Sequence, residues 1–354
     1  MDISQQLQQQ IIDAAQNRQA LQIIGNNSKA FYGCAIDDEN TLPLVVSEHS
    51  SIIDYQPSEL TITARAGTPL IEIIELLAEH GQMLAFEPPA FDGKASLGGC
   101  IATALAGPRR PWTGSVRDYV IGMRVLTGDG KDIRVGGRVM KNVAGYDLFR
   151  PMAGALGTLG VMLDITLKLL PLPERETSFS MKMDTAPMQG MLRDWGYASM
   201  PLSASSYYNG MLSVRLSGST AAINAALCKL PSDMQEISND YWHKLNEHKL
   251  PFFDNPTPLY RLVVPGYAPC VSLAGETLID WAGALRWIKT SSTFREVQSQ
   301  VAALGGTASV YRNGLRNEDV FSPLSGPLLA LHKRIKDVMD PVGILNPGRL
   351  YREL

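Results

Sequence analysis

Five stretches of this 354-residue chain combine residue types that handle anions and planar ligands. Gly25-Asn26-Asn27-Ser28-Lys29 follows the apolar run Leu21 to Ile24. Glycine and asparagine tolerate left-handed backbone, so successive N–H groups there can converge on an anion, with the Ser28 hydroxyl beside them; an ordinary Asn/Ser turn uses the same residues. Ser96-Leu97-Gly98-Gly99-Cys100-Ile101-Ala102-Thr103 is small enough to bring backbone against a planar or phosphorylated ligand, or against a neighbouring strand. Gly107-Pro108-Arg109-Arg110, with Trp112 and Arg117 close behind, gathers guanidinium groups suited to a bidentate phosphate or carboxylate clamp, or to a protein interface. Lys141-Asn142, ahead of Val143-Ala144-Gly145-Tyr146, can bond a cofactor or cap a helix. Gly154-Ala155-Leu156-Gly157-Thr158-Leu159-Gly160 leads into a strand rather than a helix, so it sets no pyrophosphate on a helix N-terminus.

Other chemistries are excluded by what the chain lacks. It contains no G-x-G-x-x-G and no G-x-x-x-x-G-K-[ST], which removes the two common nucleotide loops. Cys34, Cys100, Cys228 and Cys270 are far apart with no C-x-x-C, so no zinc ribbon, iron–sulfur cluster or disulfide framework is expected, and no metal site. The five histidines, His49, His80, His243, His248 and His332, form no H-x-H pair, and the Tyr241 to Lys249 segment that holds two of them with Glu247 reads as exposed. No catalytic base is assignable from the sequence. The 32 Lys+Arg against 35 Asp+Glu, without a block of like charge, leave no footprint for nucleic acid or an anionic membrane. The amino terminus lacks the basic and then apolar pattern of a signal peptide, and no apolar run reaches the roughly 18 residues that span a bilayer; the expected compartment is the cytoplasm.

The elements that must position these residues are short. An amphipathic surface helix is expected from Asp2 to Ala20, then strands at Leu21 to Ile24, Leu44 to Val46 and Leu60 to Arg65. Thr68-Pro69 predicts a helix start, with Ile71, Ile74, Leu77 and Ala78 as its apolar stripe and Gly81 as its stop. Between Gly93 and Gly160 lie 14 of the 31 glycines, a density that means close backbone approach. Within it Gly128-Asp129-Gly130 predicts a hairpin between Val120–Leu126 and Asp132–Val135, and Val161 to Leu169 alternates as a half-buried strand. A boundary is expected at Pro171 to Glu174. Beyond it come a strand at Phe179–Met183, an Asn209-Gly210 hairpin, a helix from Thr220 to Leu227, a strand at Tyr260–Val264, a helix from Phe294 to Leu304 and a strand at Thr307–Arg312, the rhythm of an α+β sheet. A final helix from Pro327 to Met339 carries Leu328, Leu331, Ile335 and Val338 on one face.

Taken together, Gly25–Lys29, Arg65–Leu70, Leu97-Gly98-Gly99, Gly107–Arg110, Lys141–Asp147 and Gly157–Val161 stand in the order and spacing of the vanillyl-alcohol-oxidase (PCMH-type) FAD-linked oxidases. The chain resembles that family nearly end to end, and within it the FAD-binding subunits of bacterial glycolate oxidases, whose closing D-P-x-G-x-x-N-P-G-[KR] is similar to Asp340 to Arg349 here. The resemblance implies an α+β protein: a two-part FAD-binding domain over residues 1–173, a smaller α+β cap over 174–320, and a C-terminal segment, 321–354, packing back on the first. It implies non-covalent FAD, with Gly25, Asn26, Asn27, Ser28 and Lys29 around the pyrophosphate, Leu97, Gly98, Gly99, Ile101, Ala102 and Thr103 along the diphosphate and flavin, and Gly157, Thr158, Gly160 and Val161 at the adenosine end. Pro88, Gly107, Arg109, Arg110, Lys141, Asn142 and Asn346 complete the expected contacts. Asn26 and Asn27 stand where relatives more often have glycine, which predicts weaker rather than absent binding. The implied function is oxidation of glycolate, and of D-lactate, to the 2-oxo acid within a complex whose paralogous FAD subunit does the substrate chemistry and whose iron–sulfur subunit passes electrons on. A self-sufficient 2-hydroxy-acid dehydrogenase, with Arg109 or Arg110 on the carboxylate and His332 or Tyr146 as acid or base, and a scaffold with a vestigial flavin pocket are the alternatives.

Overall fold

The computed structural model describes residues 1–37, 39–137 and 149–354. Among these, two antiparallel sheets organise the molecule. The five-stranded sheet runs Ile52–Gln56, Thr61–Arg65, Val161–Lys168, Val120–Leu126, Asp132–Gly136. The eight-stranded sheet runs Gln235–Ile237, Arg175–Lys182, Met211–Gly218, Leu202–Tyr208, Glu276–Asp280, Leu285–Lys289, Leu259–Val263, Thr307–Arg312. Every strand of the first precedes residue 171 and every strand of the second follows residue 174. A separate parallel pair, Ala20–Ile24 on Thr41–Val45, lies near the amino terminus and is joined by Leu345 bridging to Leu21.

The glycine turns fold as their chemistry dictates. Asn209 (φ 51°) and Gly210 (φ 74°) both adopt the left-handed conformation that a two-residue hairpin demands. Val161–Lys168 is more deeply buried than a half-covered strand: Leu163, Ile165 and Leu167 are sealed on one face, and Met162 and Thr166 on the other, because it lies between two neighbours in the sheet interior. The helix Ser4–Asn17 does bury one face, through Leu7, Ile11 and Ala14. Two helices differ from expectation in which face they bury. Leu70–Glu79 buries Leu70, Ile73 and Leu77 while Ala78 is exposed, and Thr68 does not cap it, since its hydroxyl donates to the Ser51 carbonyl (3.2 Å). Gly326–Met339 turns its expected apolar face outward: Leu328 is 50%, Leu331 49% and Val338 77% exposed, while Lys336 and Met339 are buried. The cause is the Lys336 ammonium, which is drawn inward to Asp340 Oδ2 (2.7 Å) and to the Thr158 and Leu345 carbonyls.

The eight-stranded sheet carries helices on one face. Leu262, Ile288 and Val310 pack with Val297 and Val301 of the helix Phe294–Ala303, while Met188, Leu192 and Ile223 of two other helices cover the opposite half. Because strand residues alternate, Leu259, Leu285, Trp287 and Tyr311 point from the other face, where they meet Tyr32, Leu105 and Leu156 of the amino-terminal part.

Candidate functional site

A cleft opens where the strand Ala20–Ile24 ends. It is lined by the whole Gly25–Lys29 loop, by Gly99, Ala102 and Thr103, and by Asn346, all expected as contacts from the sequence; by Ser96, Leu156 and Arg349, which stand in the quoted stretches without being singled out as contacts; and by Tyr32, which the sequence reading did not name. Ser96 begins the short helix Leu97–Thr103, its Oγ accepting the Gly99 N–H (3.3 Å), and a Cβ on Gly25 would stand 2.7 Å from that same Oγ, so a larger residue there would displace the helix cap. Leu97–Thr103 is thus helical, and its small residues serve both readings, Gly99 facing the cleft and Gly98 packing on Ala66 at the end of the strand Thr61–Arg65. Asn27 sits at φ 57°, the left-handed turn that its residue type permits. From the carboxyl end, Asn346 accepts the Ile23 N–H (2.7 Å) and donates to the Leu156 carbonyl (2.6 Å), and Arg349 reaches the Ala30, Tyr32 and Cys34 carbonyls. The Asn346-Pro347-Gly348-Arg349 motif was the signal that could have added Arg349.

Lys29 is the cleft's charge. Its side chain is buried, its ammonium touches only Ser28 Oγ (3.4 Å) and the Phe91 ring (5.2 Å), and no carboxylate lies within ion-pair distance among the described residues. Burial pushes its pKa down, opposed by Cys100 and Glu247. A desolvated cation without a counter-charge is costly, and a phosphate against it would offset that cost, so the residues present fit an anionic dinucleotide.

The structure puts the remaining expected contacts elsewhere. Leu97, Ile101 and Val161 lie in the core beneath the cleft, and Gly98 and Gly160 pack against Ala66 and Val125. Gly157 sits under the Asn346 amide, and Thr158 is buried with its hydroxyl on the Ala155 carbonyl (2.8 Å). Pro88 and Arg109 line a different groove. Arg109 is held by the protein at all three guanidinium nitrogens, through Glu87 (3.1 Å), Ser217 (3.1 Å) and Glu176, and Arg215 shares Glu87 (2.7 Å). His332 lines another groove with Ile335 and Lys336. Lys141, Asn142 and Tyr146 lie outside the described residues.

Beyond Phe91 lies a second, narrow hollow between the eight-stranded sheet and the Leu105–Pro108 loop, and Gly107 lines it. The reading of Tyr241–Lys249 as an exposed segment holds for His243, Lys244 and Lys249 and fails for Glu247 and His248. Glu247 is buried and accepts the Ala90 (2.6 Å) and Asp92 (3.1 Å) N–H groups, while His248, at φ 56°, is caged by Phe91, Phe253, Trp287 and Tyr311. Burial, with Arg312 and Arg261 nearby, holds the His248 pKa well below its ordinary value, so its imidazole is neutral. Asp280 is buried, Oδ1 accepting the Trp281 N–H (2.6 Å), and burial pushes its pKa up to about 7. Arg110 (4.4 Å) and Arg261 (5.1 Å) lie over the Trp281 ring. Of these groups only Arg110 comes from a stretch singled out in the sequence; Glu247, His248, Arg261 and Asp280 belong to no recognisable motif, and the fold assembles them.

Comparison with known proteins follows the same division. The FAD binding domain model matches residues 4–136, which contain the Gly25–Lys29 loop and the Leu97–Thr103 helix. Over 99% of this chain and 87% of the other, the structure superposes on p-cresol methylhydroxylase with substrate bound at TM-score 0.73 and 15% identity. Over 97% and 74%, it superposes on alkyldihydroxyacetonephosphate synthase at TM-score 0.68 and 12% identity. Fold and cleft together define an FAD-binding protein of the FAD-linked oxidase type, and FAD is its cofactor. In sequence the chain is 42% identical to glycolate oxidase subunit GlcE of Escherichia coli K12 over 353 residues, covering 100% of this chain and 99% of that one. It is also 36% identical to glycolate oxidase subunit GlcD of Bacillus subtilis over 137 residues, 38% of this chain and 29% of the other. The chain belongs to the GlcE family of glycolate oxidase subunits.

Proposed function

We propose that this chain is the FAD-carrying subunit of a multi-subunit glycolate oxidase, which oxidises glycolate, and D-lactate, to the 2-oxo acid together with a paralogous flavin subunit and an iron–sulfur subunit. The observation that carries the reading is the cleft: Gly25, Ser96 and Asn346 hold the loop beside a buried ammonium that makes no ion pair among the described residues. Gly25 to Lys29, with Ser96, Gly99 and Thr103, would hold FAD, and bound FAD supplies a two-electron acceptor. In this reading residues 1–173 and 321–354 form the FAD-binding unit and 174–320 the cap. No helix among the described residues is long and apolar enough to cross a membrane.

The test is an absorbance spectrum of the purified chain, before and after addition of FAD and removal of the excess. Flavin retained at one equivalent per chain is expected. A chain that holds no flavin after saturation overturns the reading.

A further inference from the structure

Glu247-His248-Lys249, which follow the short helix Asp240–Asn246, hold the Ala90-Phe91-Asp92 turn residue by residue. Glu247 accepts the Ala90 (2.6 Å) and Asp92 (3.1 Å) N–H groups, one on each carboxylate oxygen; the His248 ring stands edge-on to Phe91, centroids 5.8 Å apart; and Lys249 Nζ meets Asp92 Oδ1 (2.6 Å). The three contacts are unequal. Lys249 and Asp92 are exposed, and an ion pair in water adds little. Glu247 is buried, and without its carboxylate two backbone N–H groups lose their acceptor.

The turn needs a hold from outside itself. Phe91 (φ 48°) and Asp92 (φ 58°) are both left-handed without being glycine, a conformation that costs free energy and persists where the surroundings fix it. What the turn presents to the cleft is the Phe91 ring. That ring lies 5.2 Å from the Lys29 ammonium, close enough for the attraction between a cation and an aromatic face, and it packs edge-on against Phe31 (5.8 Å). Lys29 and Phe31 belong to the stretch that leaves the strand Ala20–Ile24 and lines the cleft, so the path from Glu247 to the cleft is two contacts long: carboxylate to turn, and ring to loop.

We infer that Glu247 is a positioning residue of the cofactor site: it fastens the Ala90-Phe91-Asp92 turn, and Phe91 in turn braces residues 25–32 through Lys29 and Phe31. A loop braced before its ligand arrives loses less freedom on binding, so the fastening raises FAD affinity without touching the cofactor. The fastening stands on these contacts alone, and its effect on FAD rests on the reading of the chain as an FAD-carrying subunit.

The experiment is an FAD fluorescence titration of the apo full chain as wild type, Glu247→Ala, Phe91→Ala and the double variant. Glu247→Ala should weaken FAD about ten-fold in the wild-type background, the scale of a lost charged hydrogen bond, and less than about two-fold further beside Phe91→Ala, because the ring it acts through is gone. Glu247→Gln, which keeps one acceptor oxygen, should recover part of the loss. Equal losses with and without Phe91, or no loss in either, overturn the inference. Should Glu247→Ala not fold, Glu247→Gln decides by the same comparison: a loss beside Phe91 that vanishes without it supports the role, and the same loss in both overturns it. Hydrogen exchange of the apo chain reads the path without cofactor. In Glu247→Ala or Glu247→Gln, exchange should quicken in the peptide holding Ala90-Phe91-Asp92 and also in the one holding residues 25–32, and an unchanged second peptide overturns the inference. Quickened exchange in both peptides of a chain whose wild type retains no FAD would reject the FAD-carrying role and leave this fastening standing.

Discussion

At the scale of single residues, Lys29 and Arg109 carry the same expectation from sequence, contact with the cofactor, and the structure gives them different surroundings. Both are cations in glycine-rich stretches, and residue type alone cannot say which has a carboxylate waiting. Arg109 has two in contact, contributed by Glu87 and Glu176, which lie 22 and 67 residues away, whereas Lys29 has none within ion-pair distance among the described residues and only Glu247 farther off. That difference predicts opposite signs for one substitution. Lys29→Met removes a desolvated cation and should leave the apo chain as stable as wild type or more so, while lowering FAD affinity about ten-fold, a loss of roughly 1.4 kcal/mol. Thermal melting of the apo chain and a fluorescence titration with FAD read the two effects, and a Lys29→Met chain that melts early and keeps its affinity would contradict this account. The hollow was illegible for a related reason. Arg261, Asp280 and His248 come from separate strands and a loop, no short motif joins them, and His248 with Glu247 sits in a segment whose polar composition reads as surface.

At the scale of elements, local chemistry was a good guide where it decides the backbone and a poor one where it decides the buried face. The Asn209-Gly210 hairpin, the helix Thr220–Leu227 and the turn at Gly128–Gly130 formed where turn and helix residues required them. The helix Gly326–Met339 was found, but its inward face is set by a buried ion pair that outweighs the apolar stripe. Asp340 accepts the Lys336 ammonium and the N–H groups of Gly343, Ile344 and Leu345, so it shapes the corner that delivers Asn346 to the cleft. Asp340→Ala leaves Lys336 buried without its partner, whose desolvation already lowers its pKa. Removing one member of such a pair costs about 3 to 5 kcal/mol, and loss of FAD should accompany it because the corner loosens. Denaturant unfolding with parallel flavin release measures both; stability lost with flavin fully retained would separate the corner from the cleft.

At the scale of the whole molecule, the two sheets are tied by charge as well as by apolar contact. Glu87 of the amino-terminal part receives Arg109 and, from the eight-stranded sheet, Arg215, and Arg109 in turn reaches Glu176 and Ser217 of that sheet. Burial opposes ionisation of Glu176, yet Arg215 and Arg109 hold its carboxyl below the ordinary glutamate value of 4.5. A depressed folded-state pKa adds stability that is present above that value and is lost as pH falls through the lower folded one. Below about pH 4.5 the wild type should therefore lose stability as the junction protonates. Arg109→Ala should already be about 3 kcal/mol weaker at neutral pH and show a shallower acid dependence, because Glu176 has lost one of its two cations. Calorimetry of both proteins over an acid series tests this, and parallel pH profiles would exclude the junction as their source. The α+β class was readable from the rhythm of elements, but this junction was not, because its partners lie up to 128 residues apart.

The clasp made by Asn346 has an outcome in time. The Ile23 N–H and the Leu156 carbonyl that it joins lie 323 and 190 residues before it. Contacts that close such long loops carry a high chain-entropy cost and are expected to form late in folding, so the nucleotide cradle is fastened only after these distant segments have met.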